Sequence, residues 1–166
     1  MLNSKERDEA LKLQEQARNK MTKFVVDSKD LKEHYDNTPT VVCVIISDAK
    51  FVLAIQRANN PGKNLWGLPG GYQMAGETWQ QAGLREVHEE TGMLLSTNNL
   101  SFLSLETDEY GNNLVIAQCY TDLSNFTYSL QKWEVLDLRR VTKSSYKNLK
   151  WAFPRHQRAV ANFFGD

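Results

Sequence analysis

The segment Leu65–Met93 has the sequence LWGLPGGYQMAGETWQQAGLREVHEETGM, and the rest of the chain must be built around it. A glycine-rich turn at Leu68–Gly71 is followed by a short loop and then by a run of helix-forming residues. Glu77 and Thr78 are typical first-turn and capping residues, and Gly92 is a typical helix stop. The sequence therefore predicts a helix that begins near Thr78 and ends before Gly92.

Three carboxylates of this predicted helix lie close together. Glu86, Glu89 and Glu90 occupy positions i, i+3 and i+4, which places them within an arc of about 100° on the helix surface. Like charges at this spacing repel one another unless a cation lies among them. Carboxylate oxygens suit Mg²⁺ or Mn²⁺, and such an ion in turn binds phosphate oxygens. The residues alone therefore predict a divalent-metal site beside a glycine-rich turn.

The other positions of the helix define its two sides. Ala82 and Gly83 share the acidic arc, and we expect their small side chains to leave room for a bulky group. Leu84, Val87 and Thr91 point the other way, where we expect the hydrophobic core.

This pattern resembles the Nudix box, the signature of the Nudix hydrolase family. The positions that correspond to the box are, in chain order, Gly71, Glu77, Arg85, Glu86, Val87, Glu89, Glu90, Gly92 and Met93. Only the last position departs from the family, which usually has Ile, Leu or Val there, and the change to Met keeps an apolar side chain. The resemblance extends from about residue 39 to residue 164 and implies an α/β/α sandwich with a mixed central sheet.

The resemblance implies a ligand set for the metal. In the family, the carboxylates that match Glu86 and Glu90 usually hold the ion, and the one that matches Glu89 joins them or positions the attacking water. The backbone carbonyl that matches Gly70 is a further ligand. A carbonyl reaches a metal only where no side chain blocks it, which gives Gly70 and Gly71 a reason to be glycine.

The resemblance also implies residues that support the site and bind the substrate. We expect Glu77 and Arg85 to form a salt bridge that fixes the loop against the helix, with a direct metal role as the alternative for Glu77. Arg57 ends a predicted strand, and its guanidinium group suits a diphosphate. We therefore expect Arg57 and Gly71 to contact the substrate, with a structural ion pair as the alternative for Arg57.

Catalysis also requires a group that accepts a proton from water. The resemblance implies catalytic roles for Glu86 and Glu89 and a general base on a distant loop. The candidates for that base are Glu106, Asp108, Glu109 and Glu134, and we favour Glu134. Outside the box, Trp79, Trp133, Trp151 and Phe153 could stack on a nucleobase, although aromatic residues are most often core. Arg155 and His156, at the start of the last predicted helix, are further candidates for a substrate contact.

The composition of the chain limits its partners. Twenty basic and twenty acidic residues give 166 residues a formal net charge of zero, so we expect neither nucleic acid nor an anionic membrane as a partner. The longest apolar run, Val41–Ile46, is too short to span a bilayer, and the charged first twenty residues do not resemble a secretory signal. Cys43 and Cys119 lie in apolar stretches and are expected to be buried free thiols, as in a cytoplasmic protein.

The remaining segments predict two regions. Residues 1–36 are interpreted as an N-terminal helical extension, with a helix at 4–22 that packs on the domain or on a second subunit, and a homodimer is therefore an open alternative. Residues 37–166 are interpreted as the Nudix domain. Its predicted strands are Thr40–Ser47, Phe51–Arg57, Leu100–Glu106, Asn113–Tyr120 and Trp133–Val141, and its last helix runs from Pro154 to about Phe164.

The resemblance implies Mg²⁺-dependent hydrolysis, with Mn²⁺ as an alternative, of a phosphoanhydride bond in a nucleoside diphosphate linked to another moiety. The Leu68–Tyr72 turn is similar to members that act on ADP-ribose and related nucleotide sugars or dinucleotides, so we favour this class of small-molecule nucleotide. A MutT-like nucleoside triphosphate pyrophosphohydrolase is the main alternative. A non-catalytic ligand sensor is disfavoured, because such domains tend to lose a carboxylate of the box. This chain has all four, which are Glu77, Glu86, Glu89 and Glu90.

Overall fold

A computed structural model of the protein describes residues 37–124 and 133–166. The strands of this part are β1 (Thr40–Ser47), β2 (Val52–Arg57), β3 (Trp66–Gly67), β4 (Gly70–Tyr72), β5 (Leu100–Thr107), β6 (Asn113–Tyr120) and β7 (Val135–Val141). Its α-helices are α1 (Trp79–Thr91) and α2 (Pro154–Phe164), with short 3₁₀ turns at Thr97–Asn99 and Tyr146–Asn148. The helical extension predicted for residues 1–36 lies outside the described residues. Neither α-helix of the described part is long and apolar enough to cross a membrane.

β1 is the central strand of a mixed sheet. It pairs in parallel with β6 along its whole length, from Thr40 opposite Asn113 to Ser47 opposite Tyr120. On its other side it pairs antiparallel with β4 and, at Ser47, with β2. The path of the sheet is β3-β2-β1-β6-β5, with β4 also paired to β1 and β7 also paired to β2. This arrangement explains why the run Val41–Ile46 within the predicted strand Thr40–Ser47 is apolar at every position.

The sheet lies between the two α-helices. Odd-numbered residues of β1 pack in one cluster with Val160 of α2, and even-numbered residues pack in two further clusters, with Val87 and Ala82 of α1. The predicted α/β/α sandwich with a mixed central sheet is therefore confirmed. Thr91 of α1 is also fully buried, whereas Leu84 is only partly buried, so two of the three residues predicted to anchor α1 lie in the core.

The ends of α1 follow from local sequence signals. The Thr78 hydroxyl accepts a hydrogen bond from the amide of Gln81, and the Gln81 side chain accepts one from the amide of Thr78. This reciprocal capping box satisfies two amides that the helix itself cannot pair. At the other end, Gly92 adopts a left-handed conformation with φ of 75° and donates its amide to the carbonyl of His88. The predicted helix bounds are confirmed.

The small residues of α1 have a role that differs from the predicted one. A Cβ atom added to Gly83 would lie 3.0 Å from Cγ1 of Val42 and 3.2 Å from Cγ2 of Val44. Ala82 is fully buried against the same strand. The expectation that Ala82 and Gly83 leave room for a bulky group is therefore wrong. They instead let the helix approach the sheet closely, which brings the acidic part of α1 next to β4.

Candidate functional site

The glycine-rich turn and α1 meet at Gly70 and Glu90. The amide of Gly70 donates a 2.8 Å hydrogen bond to Oε2 of Glu90, whose side chain is almost completely enclosed, with 6% of the residue exposed. Burial raises the pKa of Glu90 to about 8, because a charged carboxylate loses its hydration there. Glu90 therefore belongs to the core side of the helix as well as to the acidic cluster, which consists of Glu86, Glu89 and Glu90.

Glu86 lies against the next residue of the turn. A Cβ atom added to Gly71 would be 2.5 Å from the carboxyl carbon of Glu86, so a glycine is needed for the two groups to be this close. A Cβ atom on Gly70 would collide with the carbonyl oxygen of Val42 in β1. Burial raises the pKa of Glu86, and its hydrogen bond with Arg85 acts in the opposite direction. Both glycines are therefore required by close packing, whether or not the Gly70 carbonyl binds a metal.

Arg85 connects the loop, the turn and the acidic side of α1. Its Nε donates to Oε1 of Glu77 at 2.8 Å, and its Nη2 donates to the carbonyl of Tyr72 at 2.9 Å. Its Nη1 donates to Glu86 at 2.6 Å and to Glu89 at 3.0 Å. These hydrogen bonds raise the pKa of Arg85, Glu77 contributing most, so the guanidinium stays charged. Arg85 thus supplies the positive charge that holds these carboxylates side by side.

The acidic cluster fits a divalent cation in its donor atoms. In this structure Glu86 and Glu89 contact Arg85, and Glu90 contacts Gly70. Within residues 37–124 and 133–166, no three acidic, histidine or cysteine side chains converge as a metal site. The cluster nevertheless offers hard oxygen donors, which suit Mg²⁺ or Mn²⁺. A cation would also offset the cost of ionising the buried Glu90. The predicted ligand set of Glu86, Glu89, Glu90 and the Gly70 carbonyl stays a prediction.

A cavity of about 380 Å³ opens in front of the turn. It is lined by Gly70 and Gly71 and by side chains from several strands, loops and α2. The lining includes Arg57, Tyr72, Tyr110, Asn112, Phe153 and His156. The glycine-rich turn therefore forms one wall of a space that is large enough for a small molecule.

Arg57 is held in this cavity by two contacts. Its Nε donates to the carbonyl of Pro61 at 2.8 Å, and its guanidinium carbon lies 5.1 Å from the centre of the Phe153 ring. Among the described residues Arg57 forms no salt bridge, so the structural ion pair considered for it is not observed there. Its charge is available to an anionic ligand next to Gly70 and Gly71.

Three of the four candidate bases have other partners. Glu106 accepts a 2.6 Å hydrogen bond from Nη1 of Arg155, and Glu109 lies 3.4 Å from Nε of the same side chain. Asp108 accepts hydrogen bonds from the amides of Tyr110 and Asn112 and so closes the turn between β5 and β6. These contacts give each of the three carboxylates a structural role.

Glu134 is placed differently from the other candidates. Its backbone carbonyl accepts a 2.9 Å hydrogen bond from the amide of Ala58, which directly follows Arg57. Its side chain is exposed. Burial is the largest cause of the raised pKa values of Glu86 and Glu90, and the negative charge of Glu134 makes a smaller contribution in the same direction. The structure therefore brings Glu134 within electrostatic reach of the box carboxylates, and its role as a base stays a prediction.

The aromatic candidates separate into two groups. Phe153 lines the cavity, whereas Trp79, Trp133 and Trp151 do not. Trp66 is buried at 7% exposure and belongs to the core. Tyr72, Tyr110 and Asn112 line the cavity without having been predicted from the sequence. Their segments carry no local signal of a binding site, because only the pairing of β4, β5 and β6 with the rest of the sheet brings them together.

Comparison with known protein families gives one match that covers most of the chain. A model of the NUDIX domain matches residues 36–163. An ADP-ribose pyrophosphatase of Methanocaldococcus jannaschii is 37% identical over 81 residues, which are 48% of this chain and 48% of that protein. Phosphatase NudJ of Escherichia coli is 43% identical over 54 residues, which are 32% of this chain and 34% of that protein. The matched segments thus span about half of these relatives or less.

Solved structures share the fold. The NUDIX domain of Shewanella oneidensis NrtR, complexed with ADP ribose, superposes with a TM-score of 0.67 at 22% identity, covering 79% of this chain and 89% of that one. A bifunctional NMN adenylyltransferase/ADP ribose pyrophosphatase of Francisella tularensis, complexed with AMP and a manganese ion, gives a TM-score of 0.63 at 22% identity. That match covers 87% of this chain and 46% of the other. At these identities the likeness extends to the fold alone.

Proposed function

Because the chain belongs to the Nudix family, we propose that it is a pyrophosphohydrolase that cleaves a nucleoside diphosphate linked to another moiety. The observation that carries the proposal is the contact of α1 with the glycine-rich turn that lines the cavity. There Glu90 accepts a hydrogen bond from Gly70, and Glu86 lies against Gly71. Arg57 and both glycines line the same cavity, so a cationic side chain and the turn that contacts the acidic cluster border one binding space.

A divalent cation is part of this proposal. Glu86, Glu89, Glu90 and the carbonyl of Gly70 would hold it, with Mg²⁺ favoured over Mn²⁺. When bound, such an ion neutralises phosphate charge and lowers the pKa of a coordinated water.

The side chains of the protein have separate tasks in the reaction. Arg57 binds the diphosphate with its guanidinium fork and orients it along the turn. Glu134 accepts a proton from the attacking water, whose oxygen forms a new bond to phosphorus as the bridging P–O bond breaks. Arg85 and Glu77 keep the loop and the carboxylates in place.

The favoured substrates are ADP-ribose and related nucleotide sugars or dinucleotides. The aromatic side chains of Tyr72, Tyr110 and Phe153 line the cavity and suit a nucleobase, which binds by stacking. The names of the Methanocaldococcus relative and of the two solved neighbours support the same class. We also assign the protein to the cytoplasm, since Cys43 and Cys119 are both unpaired, buried thiols.

A nucleotide panel with Mg²⁺ or Mn²⁺ tests the proposal when its products are resolved. AMP released from ADP-ribose is the expected result. Pyrophosphate released from nucleoside triphosphates, without cleavage of ADP-ribose, would favour the MutT-like alternative. Tight binding of a nucleotide with no turnover on any member of the panel would favour a ligand sensor.

Two variants of α1 residues test whether turnover on the nucleotide panel depends on the acidic cluster. The substitution Glu86→Gln should lower turnover roughly 100-fold or more, because one carboxylate of the cluster is lost. His88 is exposed on the same helix, so His88→Gln should leave turnover within about twofold. Equal turnover of Glu86→Gln and the wild type would contradict the proposal.

A further inference from the structure

His156 is a buried side chain that the proposed chemistry does not use. It belongs to the first turn of α2, is 6% exposed, and lies on the wall of the cavity. Its Nδ1 accepts a 3.0 Å hydrogen bond from the amide of Leu68, and its Nε2 lies 3.4 Å from Sγ of Cys43. The imidazole therefore bridges the glycine-rich turn and the central strand.

The partners of His156 determine where its proton is. A backbone amide can only donate, so Nδ1 must be the unprotonated nitrogen and Nε2 must carry the proton. Nε2 then donates to the sulfur of Cys43. Burial, and to a smaller extent the charge of Arg57, lowers the pKa of His156 to about 3. The ring is consequently neutral near pH 7 and keeps an acceptor for Leu68, which an imidazolium would lack.

Both contacts of His156 are with residues near Gly70, one in the chain and one in the sheet. Leu68 precedes Gly70 by two residues, and Cys43 is the residue of β1 that pairs with Gly70. The chain before the turn also packs on the ring, because a Cβ atom added to Gly67 would be 3.3 Å from Nδ1. Movement of the imidazole would therefore release the turn from the side opposite to Glu90.

We propose that His156 is a positioning residue that, as the Nε2–H tautomer, fixes the Leu68–Gly71 turn against β1. Through the turn it sets the place of the Gly70 carbonyl and of Gly71 beside Glu86. His156 touches neither the acidic cluster nor the reacting phosphates in this role. The catalytic consequence rests on the proposed function, whereas the hydrogen-bond pattern does not.

Two replacements separate this role from simple packing. In His156→Asn, the amide oxygen occupies the place of Nδ1 and can still accept from the Leu68 amide. In His156→Gln, the amide group lies near the place of Nε2 and can contact Cys43, but the acceptor for Leu68 is lost. Both variants lose the volume of the ring, so a packing role predicts similar effects of the two.

The measured quantities are Mn²⁺ affinity by calorimetry, kcat and KM, and the midpoint of thermal unfolding. His156→Gln should weaken Mn²⁺ binding and lower kcat by roughly tenfold or more, as expected for loss of a group that orients a metal site, with a smaller change in KM. His156→Asn should retain Mn²⁺ affinity within about threefold of the wild type. Equal losses in the two variants, or full affinity in His156→Gln, would overturn the proposal.

Nitrogen NMR of the wild-type protein provides a test that does not depend on activity or on the folding of a variant. The ¹⁵N shifts of His156 should show a protonated Nε2 and an unprotonated Nδ1 at pH 7, and the Leu68 amide should exchange slowly with solvent. An Nδ1–H tautomer or an imidazolium would overturn the proposal. Absence of Mn²⁺ binding by the wild type would contradict the proposed function and leave this test of His156 intact.

Discussion

The amide of Gly70 donates a 2.8 Å hydrogen bond to Oε2 of Glu90, and this contact joins the glycine-rich turn to α1. The carboxyl group is buried between the helix and the sheet, where its charged form is costly. The hydrogen bond from Gly70 favours the ionised form of Glu90, and burial favours the protonated form more strongly. The same residue therefore connects the turn to the helix and is a candidate metal ligand when it is ionised.

This dual state of Glu90 predicts a pH dependence of stability. The pKa of Glu90 is about 8 in the folded protein, against an ordinary value of 4.5, so the folded state binds the proton more tightly than the unfolded chain. The resulting stabilisation is fully present below about pH 4.5 and is lost as the pH rises to about 8. We expect thermal unfolding of the metal-free protein to show this loss relative to Glu90→Gln. Parallel pH profiles of the two proteins would contradict the assignment.

Gly71→Ala should weaken metal binding without unfolding the protein. The added methyl group would lie 2.5 Å from the carboxyl carbon of Glu86, so this side chain must move away from the turn. We expect Mn²⁺ affinity to fall by roughly tenfold, as for other changes that reorient a ligand. Calorimetric titration of the folded variant measures the loss.

Gly165→Ala is the matched control for this glycine replacement. Gly165 ends α2 with φ of 67°, and a Cβ atom there would meet no other atom within 4 Å. The change should cost about 1 kcal/mol through backbone strain and leave Mn²⁺ affinity unchanged. If both glycine variants lost affinity equally, the effect would be due to general destabilisation.

The parts of the fold that local sequence signals determine could be predicted. Thr78 and Gly92 mark the ends of α1 through capping interactions that involve only neighbouring residues. The apolar residues of β1 likewise indicate a strand that is buried on both sides. The sequence predicts the short strands β3 and β4 only as part of a loop and a turn, because two or three residues become a strand only through pairing with β2 and β1.

The acidic part of the candidate site could be predicted because its residues share one helix. The spacing of Glu86, Glu89 and Glu90 is enough to place them on one side of α1. It does not show that Glu90 is buried, because that depends on how closely Gly83 lets the helix approach the sheet. The cavity walls come from segments far apart in the chain, and no periodicity in those segments indicates that they meet.

Arg85→Lys should impair the site even though the charge is retained. A lysine ammonium group cannot reproduce the simultaneous contacts of the guanidinium with Glu77, Glu86, Glu89 and the Tyr72 carbonyl. We expect kcat/KM to fall about tenfold and the midpoint of thermal unfolding to decrease. Unchanged kinetics and an unchanged midpoint would show that the arginine contacts are dispensable.

Arg57→Gln should raise KM for the nucleotide by about tenfold and change kcat less, because a charged hydrogen-bond donor to the diphosphate is removed. The matched control is Arg139→Gln. Arg139 lies with its guanidinium carbon 4.6 Å from the centre of the Trp66 ring and does not line the cavity. Steady-state kinetics of the two variants should therefore differ in KM. An equal KM would show that Arg57 does not bind the substrate.

The most direct measurement is the number of protons released when Mn²⁺ binds, obtained by calorimetry in buffers of different ionisation enthalpy. Because the pKa of Glu90 is about 8 in the metal-free protein, binding at pH 7 should release nearly one proton, and binding well above pH 8 should release almost none. Glu90→Gln should bind Mn²⁺ much more weakly and release no proton. Binding at pH 7 without proton release, or undiminished binding by Glu90→Gln, would contradict a metal site formed by α1 and the glycine-rich turn.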